Sequence, residues 1–396
     1  MKIGGKAITS GAALVLVGAG VWLGVALRPS AHHSTPQSPP SSPLASALPG
    51  ASQDPTDSTS SQPSVAPSAD ATASKLPKGL AVRAMSVLAS TWTVLGDSSA
   101  AFSQDQGQHF SPLALPNDWS DQNSGATSAA RGIQLFGSSR VVLWNGPKLW
   151  TGDLGGRWRS AIAAPSLGPV VGAAFNGETV YLLESGVCAE SYPQRCRAGL
   201  VTILRDGSAT SKDLALPPGD QVRSITANGT EVWILAVPGG GESGHILHSA
   251  DLGAHFSPEP FGGGCLTGTL SAVSANVLWA TCATGMHGYV ARSTDGGKTF
   301  ASSEADGGTT NAAQILGISP ADALLSAPAV RYTGDGGMTW HAAKLPRGGI
   351  SNNVLTFVDS GRGDRYFAIA TVDDADGTQA QQVWQTVDLG RSWGRV

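Results

Sequence analysis

The sequence predicts an all-β protein, a single β-propeller of about seven four-stranded blades. Three observations lead to this prediction: a composition rich in turn residues, a repeated turn motif with a period of 40 to 53 residues, and two short apolar runs ahead of each copy. We assign the propeller to residues 79–396. A transmembrane segment is predicted at 1–28 and a disordered linker at 29–78.

The composition indicates short strands joined by many turns. Glycine accounts for 51 of the 396 residues, and charged residues for only 14%, whereas ordinary soluble domains carry about 25% charged residues. The net charge of −4 gives no electrostatic case for nucleic acid, whose binding normally needs a basic patch. No nucleic-acid partner is therefore expected.

The N-terminus is predicted to be a membrane anchor. Lys2 and Lys6 precede an uncharged stretch at 7–27, which is followed by Arg28. About 20 such residues cross a ~30 Å hydrocarbon core, and the apolar region of a signal peptide is usually shorter, about 7–15 residues. We therefore expect a single-pass anchor with the propeller outside the cytoplasm. A cleavage site at 24–26 is the alternative, and it would make the protein secreted.

The next segment is predicted to be a disordered spacer. From residue 29 to about 76 the chain consists mostly of Ser, Pro, Ala and Thr, with almost no large apolar residue. Such a composition cannot bury enough surface to offset the entropy of ordering the chain. The spacer would hold the propeller away from the membrane.

The repeat is marked by the pattern S/T-x-D-x-G-x-x-aromatic. Its six clear copies are centred on Asp105, Asp153, Asp251, Asp295, Asp335 and Asp388. A degenerate copy lies around Asp206, so that successive aspartates are 48, 53, 45, 44, 40 and 53 residues apart. Seven units of this length favour a propeller.

The strand pattern gives the same number of units. Two short apolar runs precede each marker, separated by turn signals such as Asn176-Gly177 and Asn228-Gly229. The second run of each unit falls at residues 92–95, 141–144, 180–183, 232–235, 277–279, 323–325 and 366–369. A third strand leads into the marker and a fourth leaves it. Four strands repeated seven times make seven blades.

The marker is similar to the Asp-box of sialidases and other BNR-repeat propellers, and the resemblance covers residues from about 79 to 396. A short Asp side chain accepts hydrogen bonds from its own turn, the glycine supplies a positive φ, and the aromatic ring packs between sheets. We therefore interpret the six aspartates as structural. The chain also resembles the photosystem II stability and assembly factor family, which implies a protein-binding role outside the cytoplasm without catalysis.

The resemblance to sialidases does not extend to their catalytic motif. Those enzymes use three arginines, a Tyr–Glu pair and an acid/base Asp, and their first arginine lies in an Arg-Ile-Pro motif that this sequence lacks. We therefore assign no catalytic residue and no cofactor, and we expect a monomeric module that binds a protein or a cell-envelope glycan. A glycoside hydrolase of the sialidase-like class with degenerate motifs is the alternative.

The four cysteines are predicted to form two disulfides in an oxidising compartment. Cys265 and Cys282 lie near the start and end of one predicted hairpin. Cys188 and Cys196 would close a seven-residue loop. That bridge either only stabilises the loop or also stiffens it for recognition.

The candidate ligand face is the one opposite the Asp-boxes, where long loops are chemically varied. Trp119 is either an exposed platform for a ligand or packs down on its own loop. The candidate residues are Asp118, Trp119 and Asp121 in loop 116–130, Glu190, Tyr192 and Arg195 in loop 188–196, Glu242 in loop 238–243, and Asp373 and Asp374 in loop 373–379. Asp373, Asp374 and Asp376 form a weak calcium candidate, with a solvated acidic loop as the more common reading.

Overall fold

A computed structural model shows seven four-stranded antiparallel sheets, each built from strands that are consecutive in the chain. The structure describes residues 76–77, 80–119, 131–137, 139–161, 168–188, 196–238, 244–261, 265, 267–284, 287–303, 314–326, 329–345, 356–359, 364–373 and 379–396. The predicted anchor and almost all of the predicted linker lie outside these residues. Within the described part of the chain, no helix has the length and apolarity needed to span a membrane.

The first four blades run from β1 to β16. Blade 1 contains β1 (Ala84–Leu88), β2 (Thr91–Leu95), β3 (Ala100–Ser103) and β4 (Ser111–Leu113). Blade 2 contains β5 (Arg131–Phe136), β6 (Arg140–Asn145), β7 (Lys148–Asp153) and β8 (Trp158–Ser160). Blade 3 contains β9 (Val170–Phe175), β10 (Val180–Cys188), β11 (Cys196–Ile203) and β12 (Ala209–Asp213). Blade 4 contains β13 (Asp220–Asn228), β14 (Glu231–Pro238), β15 (Gly244–Ser249) and β16 (Ser257–Phe261).

The last three blades run from β17 to β28. Blade 5 contains β17 (Leu270–Ala272), β18 (Leu278–Thr284), β19 (His287–Ser293) and β20 (Ala301–Ser303). Blade 6 contains β21 (Ile315–Gly317), β22 (Ala323–Leu325), β23 (Arg331–Thr333) and β24 (His341–Ala342). Blade 7 contains β25 (Thr356–Asp359), β26 (Tyr366–Asp373), β27 (Gln379–Thr386) and β28 (Gly394–Arg395). The prediction of seven four-stranded blades is confirmed.

The second strand of each blade supplies much of the core, because both of its faces lie between neighbouring sheets. The apolar runs that mark these strands in the sequence are therefore almost fully buried, and Trp92, Trp233 and Trp279 are at most 2% exposed. Each core cluster joins residues of two adjacent blades, as where Trp233 and Leu235 of blade 4 pack with Leu278 of blade 5. The blades thus stack face to face around the ring.

Among the described strands, none is exchanged between the blades that close the ring. β1 is the innermost strand of blade 1 and β28 is the outermost strand of blade 7, and neither joins the other blade's sheet. A mixed cluster of buried side chains closes the gap instead, with Val82, Met85 and Trp92 from blade 1 and Phe367 and Val383 from blade 7 among its members. Packing between two otherwise complete sheets therefore holds the ends of the ring together.

Candidate functional site

The Asp-boxes form self-contained turns between the third and fourth strands. In blade 5 the Ser293 hydroxyl donates to Asp295 Oδ1 at 2.8 Å and accepts the Gly297 amide at 2.8 Å. The Thr299 amide donates to Asp295 Oδ1 at 2.9 Å and its hydroxyl donates to Oδ2 at 2.6 Å. These bonds, led by that of the Thr299 hydroxyl, lower the pKa of Asp295 to about 2. The carboxylate is therefore occupied within its own turn.

The boxes share one face of the propeller with the turns between first and second strands. In five blades a backbone amide of the box turn donates to a carbonyl of that first turn. The pairs are Gln106 with Ser90 at 2.9 Å, Leu154 with Ser139 at 3.2 Å, Leu252 with Thr230 at 2.9 Å, Gly296 with Asn276 at 2.9 Å and Gly336 with Ala321 at 2.8 Å. We call this side the box face and the opposite side the box-free face.

The second box departs from the pattern that its sequence predicts. Its positive φ lies at Gly156 rather than at Gly155. The Thr151 hydroxyl accepts a bond from Arg159 Nε at 3.2 Å, and Asp153 accepts the Gly155 amide at 3.0 Å and Arg157 Nε at 2.8 Å. Two arginines thus take the place of the usual hydroxyl contacts, and the turn is displaced by one residue.

The first strands of all seven blades line a central cavity of about 530 Å³. Polar side chains on or beside these strands accept hydrogen bonds from backbone amides of the next blade. No other described strand lies on the cavity side of these amides, so the side chains supply the acceptors that they need. The pairs of donor amide and acceptor side chain are Leu135 with Ser86 at 3.0 Å, Leu270 with Ser224 at 3.1 Å, Ala272 with Thr226 at 3.0 Å, Ile315 with Thr269 at 3.2 Å, Gly317 with Ser271 at 2.9 Å and Phe357 with Gln314 at 3.1 Å. These hydrogen bonds therefore fix the alignment of each first strand against the first strand of the next blade.

A charged cluster lies where this cavity meets the box-free face. Asp97, in the turn between β2 and β3, accepts Arg83 Nε at 2.9 Å and Arg83 Nη2 at 3.0 Å. It also accepts Arg131 Nη1 at 3.0 Å. The bonds from Arg83 lower the pKa of Asp97 below its ordinary value. Both arginines line the cavity, so the cluster presents guanidinium groups at its mouth.

The loop that contains Trp119 packs beside this cluster. The Trp119 ring is half-buried, lies 5.5 Å from the Trp150 ring, and has the Arg131 guanidinium 5.9 Å from its centroid. Its Nε1 donates to the Asp97 carbonyl at 3.2 Å. Asp118 in turn accepts Trp150 Nε1 at 3.0 Å and remains exposed. The two loop residues therefore connect blades 1 and 2 at the cavity mouth.

Most of the other predicted ligand residues lie outside the part of the chain that the structure describes. These residues are Asp121, Glu190, Tyr192, Arg195, Glu242, Asp374 and Asp376. Asp373 is described only as the last residue of β26. Their roles stay predictions. Among the described residues no cluster of three or more His, Cys, Asp or Glu side chains is suited to a metal ion.

The arginine cluster at the cavity mouth was not predicted from the sequence. Arg83, Asp97 and Arg131 come from three separate segments, and the pairing of Arg131 with Asp97 spans 34 residues. Each of these residues lies at the end of a strand on the box-free face, and the position of such strand ends can be read from the repeat. The repeat alone could therefore have predicted that these charged residues lie on the same face.

Both predicted disulfides are confirmed. Cys188 and Cys196 pair across β10 and β11, with Cα atoms 3.9 Å apart. Cys265, ahead of β17, is bonded to Cys282 in β18, with Cα atoms 5.3 Å apart, and both side chains are fully buried. The second bridge therefore belongs to the core between blades 4 and 5.

No protein-family model matches the chain, and no curated protein matches its sequence. The chain is similar in fold to a puromycin-hydrolysing peptidase of Mycobacterium tuberculosis, with 14% identity and a TM-score of 0.52. This match covers 78% of the chain, which spans only 52% of the peptidase.

Three further solved structures match with lower scores. YCF48 from Cyanidioschyzon merolae has 13% identity and a TM-score of 0.48, over 78% of this chain and 97% of that one. A YCF48 structure with a bound D1 peptide has 13% identity and a TM-score of 0.43, over 64% and 76%. A mutant Trypanosoma rangeli sialidase that displays trans-sialidase activity has 13% identity and a TM-score of 0.41, over 77% and 53%. On its sheet topology and its turns, the chain is a seven-bladed β-propeller of the Asp-box type.

Proposed function

We propose that this chain is a non-catalytic binding module that engages a protein or a cell-envelope glycan through its box-free face. The observation that carries the proposal is the cavity mouth, where Arg83, Arg131 and Trp119 form a fixed polar and aromatic rim, with the buried Trp150 packed behind Trp119. In this proposal the N-terminal segment anchors the propeller in the membrane, outside the cytoplasm, and the linker spaces it from the bilayer.

The rim suits recognition because its side chains are held before a ligand arrives. Asp97 binds both arginines, and Trp119 is fixed by its bond to the Asp97 carbonyl and by Trp150. Arginine and tryptophan are the residues that most often dominate binding energy at protein interfaces, and indole faces also stack on sugars. A rigid site loses less conformational entropy on binding, so a modest contact area gives useful affinity.

The chemistry of the cavity wall suits hydrogen bonding to a ligand. Among the described residues that line it, the polar side chains are guanidinium, hydroxyl and amide groups. These groups can form hydrogen bonds with a peptide or a sugar, and this supports the binding proposal.

Crosslinking of the full-length protein in its native envelope tests the proposal. The test variant combines Arg131→Gln with Trp119→Ala, and the control combines Lys298→Ala with Arg391→Ala, which are exposed on the box face. We expect the wild type and the control to capture the same partner, and the test variant to capture at least tenfold less while its circular dichroism is unchanged. Equal capture by both variants would exclude the box-free face as the binding surface.

A second assay separates binding from catalysis. The full-length protein in detergent is incubated with envelope glycans, and both retention and cleavage products are measured. Retention without new reducing ends is the expected outcome for a glycan partner. Turnover that the test variant abolishes would instead establish the sialidase-like hydrolase and overturn the proposal.

A further inference from the structure

The turn between the third and fourth strands of blade 3 is the one that has lost its box. In the sequence Leu204-Arg205-Asp206-Gly207-Ser208, a leucine replaces the hydroxyl residue that binds the aspartate elsewhere. The turn closes early, with the Leu204 amide donating to the Ser208 carbonyl at 2.9 Å and the Gly207 amide donating to the Leu204 carbonyl at 2.7 Å. The shortened turn leaves an open cleft of about 300 Å³ between blades 2 and 3.

Two arginines of blade 2 reach into the space beside this turn. Arg159 Nη2 donates to the Asp206 carbonyl at 3.2 Å, and Arg140 Nη1 donates to the same oxygen. A Cβ atom on Gly207 would lie 2.6 Å from each of these nitrogens. The two nitrogens are therefore no more than 5.2 Å apart.

Among the described residues the two guanidinium groups form no ion pair with a carboxylate, but the Asp206 carboxylate is near enough that their charges, after the Ser208 hydrogen bonds, help to lower its pKa. The neighbouring exposed arginines are paired, Arg157 with Asp153 at 2.5 Å and Arg205 with Glu178 at 3.2 Å. Among the described residues, no ion pair within 4.0 Å joins Arg140 or Arg159 to a carboxylate. The Asp206 carboxylate is turned to its own loop, where Oδ1 accepts the Ser208 amide at 2.7 Å and the Ser208 hydroxyl at 2.6 Å.

We propose that this cleft binds an oxyanion, the carboxylate, phosphate or sulfate group of a larger ligand. Like charges held this close repel each other, and an anion between them relieves the repulsion. The planar donors of arginine match carboxylate and phosphate oxygens in pairs, and Ser160 at the cleft adds a hydroxyl group. The cleft lies on the box face, so it is distinct from the cavity mouth and does not depend on the function proposed for that mouth.

Calorimetric titration of the full-length protein in detergent tests the site. Inorganic phosphate, sulfate and acetate are added in separate experiments at constant ionic strength, and the tightest of the three identifies the oxyanion chemistry. Because the cleft is open to solvent, we expect saturable binding of one ion per chain with a millimolar Kd.

Two matched double variants separate a built site from general charge attraction. Arg140→Gln with Arg159→Gln removes the proposed ligands, and Arg157→Gln with Arg205→Gln removes the same charge from paired positions nearby. We expect the first to raise Kd at least tenfold and the second to change it less than twofold. Arg159→Gln alone, which leaves one guanidinium in place, should give an intermediate Kd if the double variant folds poorly. Absence of saturable binding, or equal losses in both double variants, would overturn the proposal.

Discussion

The indole of Trp92 in blade 1 meets the ring of Phe367 in blade 7 edge-on, with ring centroids 4.7 Å apart and planes at 70°. Both rings are at most 2% exposed. Since no strand in the described part of the chain crosses between these two blades, this contact is part of the seam that closes the ring. The seam depends on side-chain packing where many closed sheets depend on backbone hydrogen bonds.

Phe367→Ala is expected to weaken that seam. Removal of a buried phenylalanine lowers the free energy of unfolding by about 3–5 kcal/mol, through lost burial and the remaining cavity. In hydrogen exchange, β1, β2 and β26 should lose protection before the strands of blades 3 to 5. Chemical denaturation and exchange mass spectrometry measure both effects.

Phe261→Ala is the matched control, because this ring is 1% exposed and meets Phe300 edge-on at 4.8 Å between blades 4 and 5. It should lose a similar free energy of unfolding while the exchange of β1 and β2 follows that of the other blades. If the two variants give the same exchange pattern, the seam is not the weak point of the ring.

Acid should destabilise the protein through its Asp-boxes. Hydrogen bonds within each turn, led by those of the Thr299 and Thr339 hydroxyls, lower the pKa of Asp295 and Asp335 to about 2 from an ordinary value of 3.8. The unfolded chain therefore binds more protons than the folded one between these values, so the stabilisation is complete above about pH 4 and is lost as pH falls towards about 2. In thermal melting, Tm should fall as the pH is lowered from about 4 to about 2.

Asp335→Asn tests the origin of that dependence. The Thr339 amide and hydroxyl donate to different carboxylate oxygens, and the NH2 group that replaces one of them cannot accept a hydrogen bond. Tm at neutral pH should therefore fall, and the further decrease in acid should become smaller. Asp213→Asn, which removes a carboxylate paired only with the exposed Arg197 among the contacts described, should leave the acid profile close to that of the wild type. An unchanged profile in Asp335→Asn would show that the boxes do not carry the acid sensitivity.

The repeat made most of the fold predictable from the sequence. The spacing of the box aspartates and the apolar second strands are local patterns, and both set the number of blades directly. The two disulfides could be predicted in the same way, because the cysteines of each pair are close in the sequence. These features depend on residues near one another in the chain, which is why one sequence was enough to place them.

The arrangement of charges could not be derived in the same way. Arg140 meets the Asp206 carbonyl across 66 residues, and Arg131 meets Asp97 across 34. Such contacts depend on the angle between blades and on where long side chains end, neither of which has a sequence period. The displaced positive φ at Gly156 has the same cause, because Arg157 and Arg159 replace the hydroxyl contacts of an ordinary box.

Ser224→Ala is expected to loosen the inner wall of the cavity. Its hydroxyl accepts the Leu270 amide at 3.1 Å, and both residues are buried. Loss of the acceptor leaves a buried amide without its partner, which costs about 1–3 kcal/mol of the free energy of unfolding. Ser257→Ala is the control, because its exposed hydroxyl makes only a 3.5 Å contact with the His248 carbonyl and should cost much less. Equal losses in urea denaturation would argue against the role of the inner hydroxyls.

Two neighbouring tryptophans should respond differently to the same substitution. Trp279 and Trp340 pack edge-on with centroids 6.4 Å apart, and both are buried. Trp279 Nε1 donates to the Ser319 carbonyl at 3.0 Å, whereas Trp340 Nε1 is buried and has no hydrogen-bond acceptor among the described residues. Phenylalanine removes the indole nitrogen at either position, together with a similar volume.

Trp279→Phe should therefore cost more than Trp340→Phe. The first change breaks a hydrogen bond and leaves the Ser319 carbonyl without this donor, while the second removes a donor whose burial is itself unfavourable. We expect a difference of about 1 kcal/mol in the free energy of unfolding, measured by denaturation of both variants under the same conditions. Equal costs would indicate that a bound water serves Trp340 Nε1, and a solvent-filled position between blades 5 and 6 would then belong to the folded state.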